Sequence, residues 1–97
     1  MNLARCGEDA LIATLTRRLE LGAKVRVGPG DDCAVLGAPR AIRWQLLKSE
    51  AVVEGVHFLS NDDPRRVGWK AFCRAVSDVA AMGGVPEHAL VTLAVSR

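Results

Sequence analysis

Residues 60–84, "SNDDPRRVGWKAFCRAVSDVAAMGG", constrain the fold more than any other stretch of the chain. Asp62 or Asp63 is placed to cap a helix, and Pro64 follows at the position where an early-helix proline is tolerated. Gly83 and Gly84 stop the helix, with Pro86 just beyond. Val67, Phe72, Val76, Val79 and Ala80 are predicted to form its buried stripe. A helix with one apolar stripe needs a second layer to cover it, so the flanking segments must supply that layer.

Those segments read as short strands and one further helix. "GEDALIATLTRRLELG", residues 7–22, repeats apolar residues at Leu11, Ile12, Leu15 and Leu19, with Glu8 and Asp9 at the favourable end of the helix dipole. A Gly-Pro-Gly turn precedes a short strand over Cys33–Leu36. "IRWQLLKSEAVVEGVHFL", residues 42–59, reads as extended chain with Gly55 as a bulge or kink. "EHALVTLAV", residues 87–95, is predicted to be a final strand. The order helix, strand, strand, helix, strand implies an α+β domain, a mixed or antiparallel sheet with helices on one face. The 97 residues suffice for one domain only.

Composition narrows the function classes. The 49% apolar and 25% charged residues are those of an ordinary soluble domain. A net charge of +2, basic residues scattered along the chain and 4% aromatics argue against a nucleic-acid surface. Cys6, Cys33 and Cys73 form no Cys-x-x-Cys pair, which excludes a zinc knuckle or thioredoxin-type motif and suits a reducing compartment. The first residues, "MNLARCGEDA", lack the apolar core of a signal peptide, and no run approaches the ~18 apolar residues of a membrane span. A cytoplasmic protein without membrane partners is expected.

Four places carry polar residues that folding alone does not demand. Asp31 and Asp32 follow the Gly-Pro-Gly turn; an Asx turn explains one of them more readily than both. Lys48, Ser49 and Glu50 interrupt an apolar strand, as a solvated face or as a site. Glu54 and His57 have the Glu-x-x-His spacing of di-metal carboxylate proteins, but that motif requires a helix and the surrounding valines favour extended chain. His57 alone is either a ligand contact or a hydrogen-bonded histidine. Asp78 opposes the dipole in the C-terminal half of its helix, so a basic side chain or a metal ion should lie beside it. Phosphate-loop, dinucleotide-binding, zincin and nucleophile-elbow motifs are all missing from the sequence. Any nucleotide would therefore be handled through carboxylates and a hard metal ion.

In order and spacing, "GEDALIATL", "GPGDDCAVL", "VVEGVHFL", "DPRRVGWKAFCRAVSDVAAMGG" and "PEHALVTLAV" resemble the start of the thiamine-monophosphate kinases. That family is related to aminoimidazole ribonucleotide synthetase and selenophosphate synthetase. The resemblance implies the N-terminal domain fold of aminoimidazole ribonucleotide synthetase, truncated, over residues 1–97. It also implies ATP-dependent phosphorylation of thiamine monophosphate to thiamine diphosphate, with Mg²⁺ ions bridging carboxylates and phosphates. Asp32 and Asp78 match metal ligands of the family, and Asp31 matches a turn or secondary metal position. Lys48, Ser49 and Glu50 fall where relatives place metal-binding residues, with Lys48 contributing through its backbone. His57 matches a contact to the thiamine phosphate. Glu50 departs from the aspartate usual in the family. The chain is also about a third of a family member's length, so the expected downstream Gly-Gly-Asp loop and second domain lie outside it. A homodimer is expected, in which the sheet pairs with its copy. Two other readings are a non-catalytic dimerisation or scaffold module and another ATP-dependent member of the superfamily.

Overall fold

The computed structural model describes residues 6–95. Two helices and three short strands follow one another as α1 (Glu8–Thr16), β1 (Val25–Val27), β2 (Ala34–Leu36), β3 (Gln45–Leu47) and α2 (Pro64–Ala81). The strands form one antiparallel sheet in the order β1-β2-β3. Val35 lies opposite Leu46, and a register irregularity between Val25 and Val27 marks the β1–β2 pairing. The architecture is α+β, in agreement with the pattern of elements in the sequence.

The core is small and centred on β2. Cys33 and Val35, at 2% and 5% exposure, are the buried apolar residues of the described chain. Residues alternating along a central strand send one face inward, so Cys33 and Val35 share that face.

The long helix α2 starts and ends where its signals put it. Asp63 is the N-cap, its carboxylate accepting the Arg65 N–H at 3.0 Å. Asp62 acts one step earlier, where its Oδ2 accepts the Leu59 N–H at 2.8 Å and shapes the approach to the helix. The sheltered stripe is displaced from the predicted one. Val67, Ala71, Ala75, Val76, Asp78, Val79 and Met82 are half-buried, whereas Phe72 and Ala80 are exposed. Positions 67, 71, 75, 79 and 82 follow a spacing of three and four, and Phe72 falls one position off that line. At the end of α2 the backbone of Gly84 passes so close to β3 that a Cβ there would fall on Leu46 Cδ1. That contact ties the helix C-terminus to the sheet.

Other expectations are corrected. α1 ends at Thr16, well before Gly22, and Leu15, Leu19 and Leu21 are exposed. The Leu21 side chain instead approaches Gly28. Strand β1 has no counterpart among the predicted elements; its three residues are too few for alternation to show. Of residues 42–59 only Gln45–Leu47 pair with a neighbouring strand. Val53 to Phe58 fold into a tight turn, in which the Val53 carbonyl accepts the His57 N–H at 2.8 Å and Gly55 takes φ +78. That backbone region suits glycine and explains the break in the extended chain.

Residues 87–95 are not a strand. They carry no ladder hydrogen bonds, and Leu90, Val91, Leu93 and Val95 are exposed. An apolar run becomes a strand only when a neighbour satisfies its backbone, and no such neighbour lies beside it among the described residues. No described helix is long and apolar enough to cross a membrane.

Candidate functional site

Ion pairs join the chain leaving β3 to α2, and the turn before β2 leads into the buried Cys33. The chain leaving β3 carries Lys48, Ser49 and Glu50; α2 carries Arg74 and Asp78; the turn before β2 carries Asp31 and Asp32. Lys48 Nζ lies 2.6 Å from Asp78 Oδ2 and 3.7 Å from Glu50 Oε2. Arg74 Nη2 donates to Glu50 Oε1 at 3.0 Å, and Arg74 Nε reaches the same oxygen at 3.3 Å. The positive group that Asp78 required is thus a side chain from the neighbouring strand segment.

The electrostatics follow from these contacts. Hydrogen bonding to Asp78 raises the Lys48 pKa above its ordinary value, against the opposing effect of burial. The Arg74 hydrogen bond holds Glu50 below the usual glutamate range. Burial pushes the Cys33 thiol up, and the negative charges of Asp78, Asp32 and Asp31 add to that rise against the charge of Lys48.

Asp31 and Asp32 do not play the same part. Asp31 Oδ1 accepts the Asp32 N–H at 2.8 Å, closing a local turn. The Asp32 carboxylate is exposed and engages no hydrogen-bond donor among the described residues. Ser49 is exposed between Lys48 and Glu50.

His57 stands apart from this cluster. Its Nδ1 accepts the Val53 N–H at 3.0 Å, which leaves Nε2 to carry the ring proton and donate outward. Its carbonyl accepts from the Lys70 ammonium. It lines an open groove of about 700 Å³ with Arg65, Arg66, Trp69 and Lys70. A second cleft of about 410 Å³ is lined by Glu50, Lys70, Cys73, Arg74, Ser77 and Asp78. Lys70 borders both, so the carboxylate cluster and the His57 groove adjoin along one side of α2.

Arg74 and Lys70, which the sequence does not single out, line the cleft beside Glu50 and Asp78. The signal for Arg74 is its position one helical turn before Asp78, on the same face. The two cationic side chains along α2, with Arg65 and Arg66, make this side of the helix suited to phosphate.

Mg²⁺ takes hard oxygen ligands, keeps several waters, and is commonly bound by one or two carboxylates plus substrate phosphates. The donor chemistry here fits: Asp32 offers a free carboxylate, Asp78 a second oxygen, and Ser49 a hydroxyl close to Glu50. Among the described residues no three acidic, histidine or cysteine side chains converge as a ready-made cage. The arrangement therefore suits an ion carried in with phosphates rather than one held by protein alone.

Comparison with known proteins gives the family of the chain. The family model for the AIR synthase related protein, N-terminal domain, matches residues 30–97. The chain is 41% identical over 89 residues to the thiamine-monophosphate kinase of Bacillus subtilis, covering 91% of this chain and 27% of that protein. It is 42% identical over 93 residues to that of Aquifex aeolicus, covering 96% and 28%. For Escherichia coli K12 the identity is 39% over 92 residues, covering 94% and 27%. The chain thus spans little more than a quarter of the length of these relatives. No solved structure matches. With a family model matching more than two thirds of its residues, the chain belongs to the AIR synthase related proteins and carries their N-terminal domain.

Proposed function

We propose that the chain is the N-terminal part of a thiamine-monophosphate kinase, a phosphotransferase that converts thiamine monophosphate to thiamine diphosphate with Mg²⁺ and ATP. The observation that carries the proposal is the gathering of Lys48, Glu50, Arg74 and Asp78, with the His57 groove adjoining. The likeness to the kinases named above, over nine-tenths or more of this chain, supports the substrate.

In this reading Asp32 and Asp78 hold Mg²⁺, with Ser49, Glu50 and the Lys48 backbone completing the set and Asp31 shaping the turn. Bound there, Mg²⁺ would neutralise phosphate charge and align the transferring group. The chain's own residues do the remaining work. His57 donates from Nε2 toward the phosphate of thiamine monophosphate, and Arg65, Arg66 and Lys70 supply positive charge along the same groove. Arg74 fixes the Glu50 carboxylate, whose extra methylene relative to aspartate otherwise leaves it free to wander. The protein would act in the cytoplasm as a homodimer.

A chimera tests the reading: residues 6–95 replace the matching segment of the Escherichia coli thiamine-monophosphate kinase. Presented with a panel of phosphoryl acceptors and Mg·ATP, it should convert thiamine monophosphate and leave selenide and aminoimidazole ribonucleotide precursors untouched. Activity on one of the latter instead would assign the chain to another branch. The pairing of Asp78 and Glu50 with basic side chains favours a second reading, a non-catalytic dimerisation module. A correctly folded chimera with no activity on any acceptor would support it.

A further inference from the structure

Asp78 lies in the C-terminal half of α2, where the helix presents its negative end. The charge that answers it comes from Lys48, whose ammonium is 2.6 Å from Asp78 Oδ2 and 3.7 Å from Glu50 Oε2. The three side chains are only 18–25% exposed, so their mutual attraction is screened less than that of a surface pair. Arg74 holds the other Glu50 oxygen. Both carboxylates are therefore compensated by side chains of the chain itself.

We infer that Lys48 is an internal counter-cation that competes with Mg²⁺ for Asp78 and Glu50, so that metal loading expels its ammonium from the site. The inference rests on the Mg²⁺ reading given above. An ammonium hydrogen-bonded to a carboxylate oxygen and a hydrated divalent ion claim the same lone pairs, and each repels the other. Lysine suits such an exchange: its charge is a point at the end of a flexible four-carbon stem, unlike the planar fork of arginine. The adjoining cleft, bordered by Cys73 and Ser77, gives the displaced amine an open route to solvent. The site would then stay electrically balanced without metal and bind it more weakly than an uncompensated set of carboxylates.

Titration of the 97-residue chain with Mg²⁺ alone, followed by calorimetry, tests this in wild type, Lys48→Met, Lys48→Arg and Asp78→Asn. Lys48→Met should bind Mg²⁺ about five-fold more tightly than wild type, the equivalent of breaking one modest ion pair. Lys48→Arg should stay near wild type. Equal or weaker binding by a folded Lys48→Met, including no binding by either protein, overturns the inference. If Lys48→Met does not fold, the wild type answers instead. Trace acetylation read by peptide mass spectrometry should show Lys48 reacting faster as Mg²⁺ is added, with Lys24 unchanged. A Lys48 rate that Mg²⁺ leaves unchanged or lowers overturns the inference. Asp78→Asn separates the two ideas. Undiminished Mg²⁺ binding in that variant removes the metal reading at Asp78. Lost binding there, with no gain in Lys48→Met, removes only the counter-cation.

Discussion

At the residue scale, three ion pairs of unequal exposure link Lys48, Glu50, Arg74 and Asp78. Glu50 is 18% exposed and Arg74 43%, so solvent weakens their attraction and its worth to stability is below about 1 kcal/mol. The folded state holds Glu50 below its ordinary pKa, so the bond stabilises above the usual glutamate range and is lost as pH falls below about 4.3. Glu50→Gln should therefore flatten the acid limb of a pH–stability curve from denaturant melts, by lowering stability at neutral pH by less than about 1 kcal/mol and leaving the acid end nearly unchanged. Lys48 runs the other way. Its raised pKa contributes stability that is complete below about pH 10.4 and fades as pH climbs through the folded value. Lys48→Met should remove that alkaline fall.

Cys33 offers an independent check of the packing around these charges. It is 2% exposed and its thiol is pushed up, mainly by burial, whereas Cys73 is exposed. Iodoacetamide at neutral pH should label Cys73 at least about ten-fold faster than Cys33, since the thiolate is the nucleophile and burial denies access. Equal rates would mean that β2 is not packed as described. The need of Asp78 for a positive neighbour is legible from the dipole alone. That the neighbour is Lys48 is not, because thirty positions separate them and only the docking of β3 beside α2 brings them together.

At the scale of elements, the legible parts are those with local chemistry at their ends. Asp63, Pro64 and the Gly83-Gly84 stop mark α2 without reference to anything distant. Asp63→Ala should cost about 1 kcal/mol, as is usual for loss of an N-cap, read as a lower midpoint in urea. Asp62→Ala removes a different hydrogen bond, to Leu59, and should loosen the turn ahead of the helix rather than the helix itself. The strands are harder to read. β1 is three residues long, and residues 42–59 are apolar enough for a strand yet contain a turn at Gly55. Apolar runs report burial or β-propensity, whereas pairing depends on partners that a linear pattern does not name. Residues 87–95 make the same point, with a strand-like composition and no strand.

At the scale of the whole molecule, the described chain is open. Its radius of gyration is 16.3 Å, where a compact domain of about 100 residues has roughly 13 Å. Trp44, Val56, Trp69, Phe72 and Leu90 are more than half exposed. Apolar surface on this scale favours association, and the proposed homodimer would cover part of it. Sedimentation of the purified chain at micromolar concentration should give a dimer or larger species; a stable, monodisperse monomer would contradict the dimer.

The site itself is legible in the sequence to the extent that its carboxylates sit in motifs. Asp32, Glu50 and Asp78 stand out by their placement and by family likeness. Arg74 and Lys70, which fix the geometry and the charge of the adjoining clefts, emerge only once α2 is set beside the chain leaving β3. In the proposed function, Asp78 and its neighbours belong to a kinase site acting on thiamine monophosphate. The most direct measurement is thiamine diphosphate formation by the chimeric enzyme with Mg·ATP, comparing the native segment with Asp78→Asn. The native segment should support turnover, and Asp78→Asn should lose at least about a hundred-fold, in line with removal of a group aligned on transferring charge. Equal turnover by the two folded chimeras would contradict it.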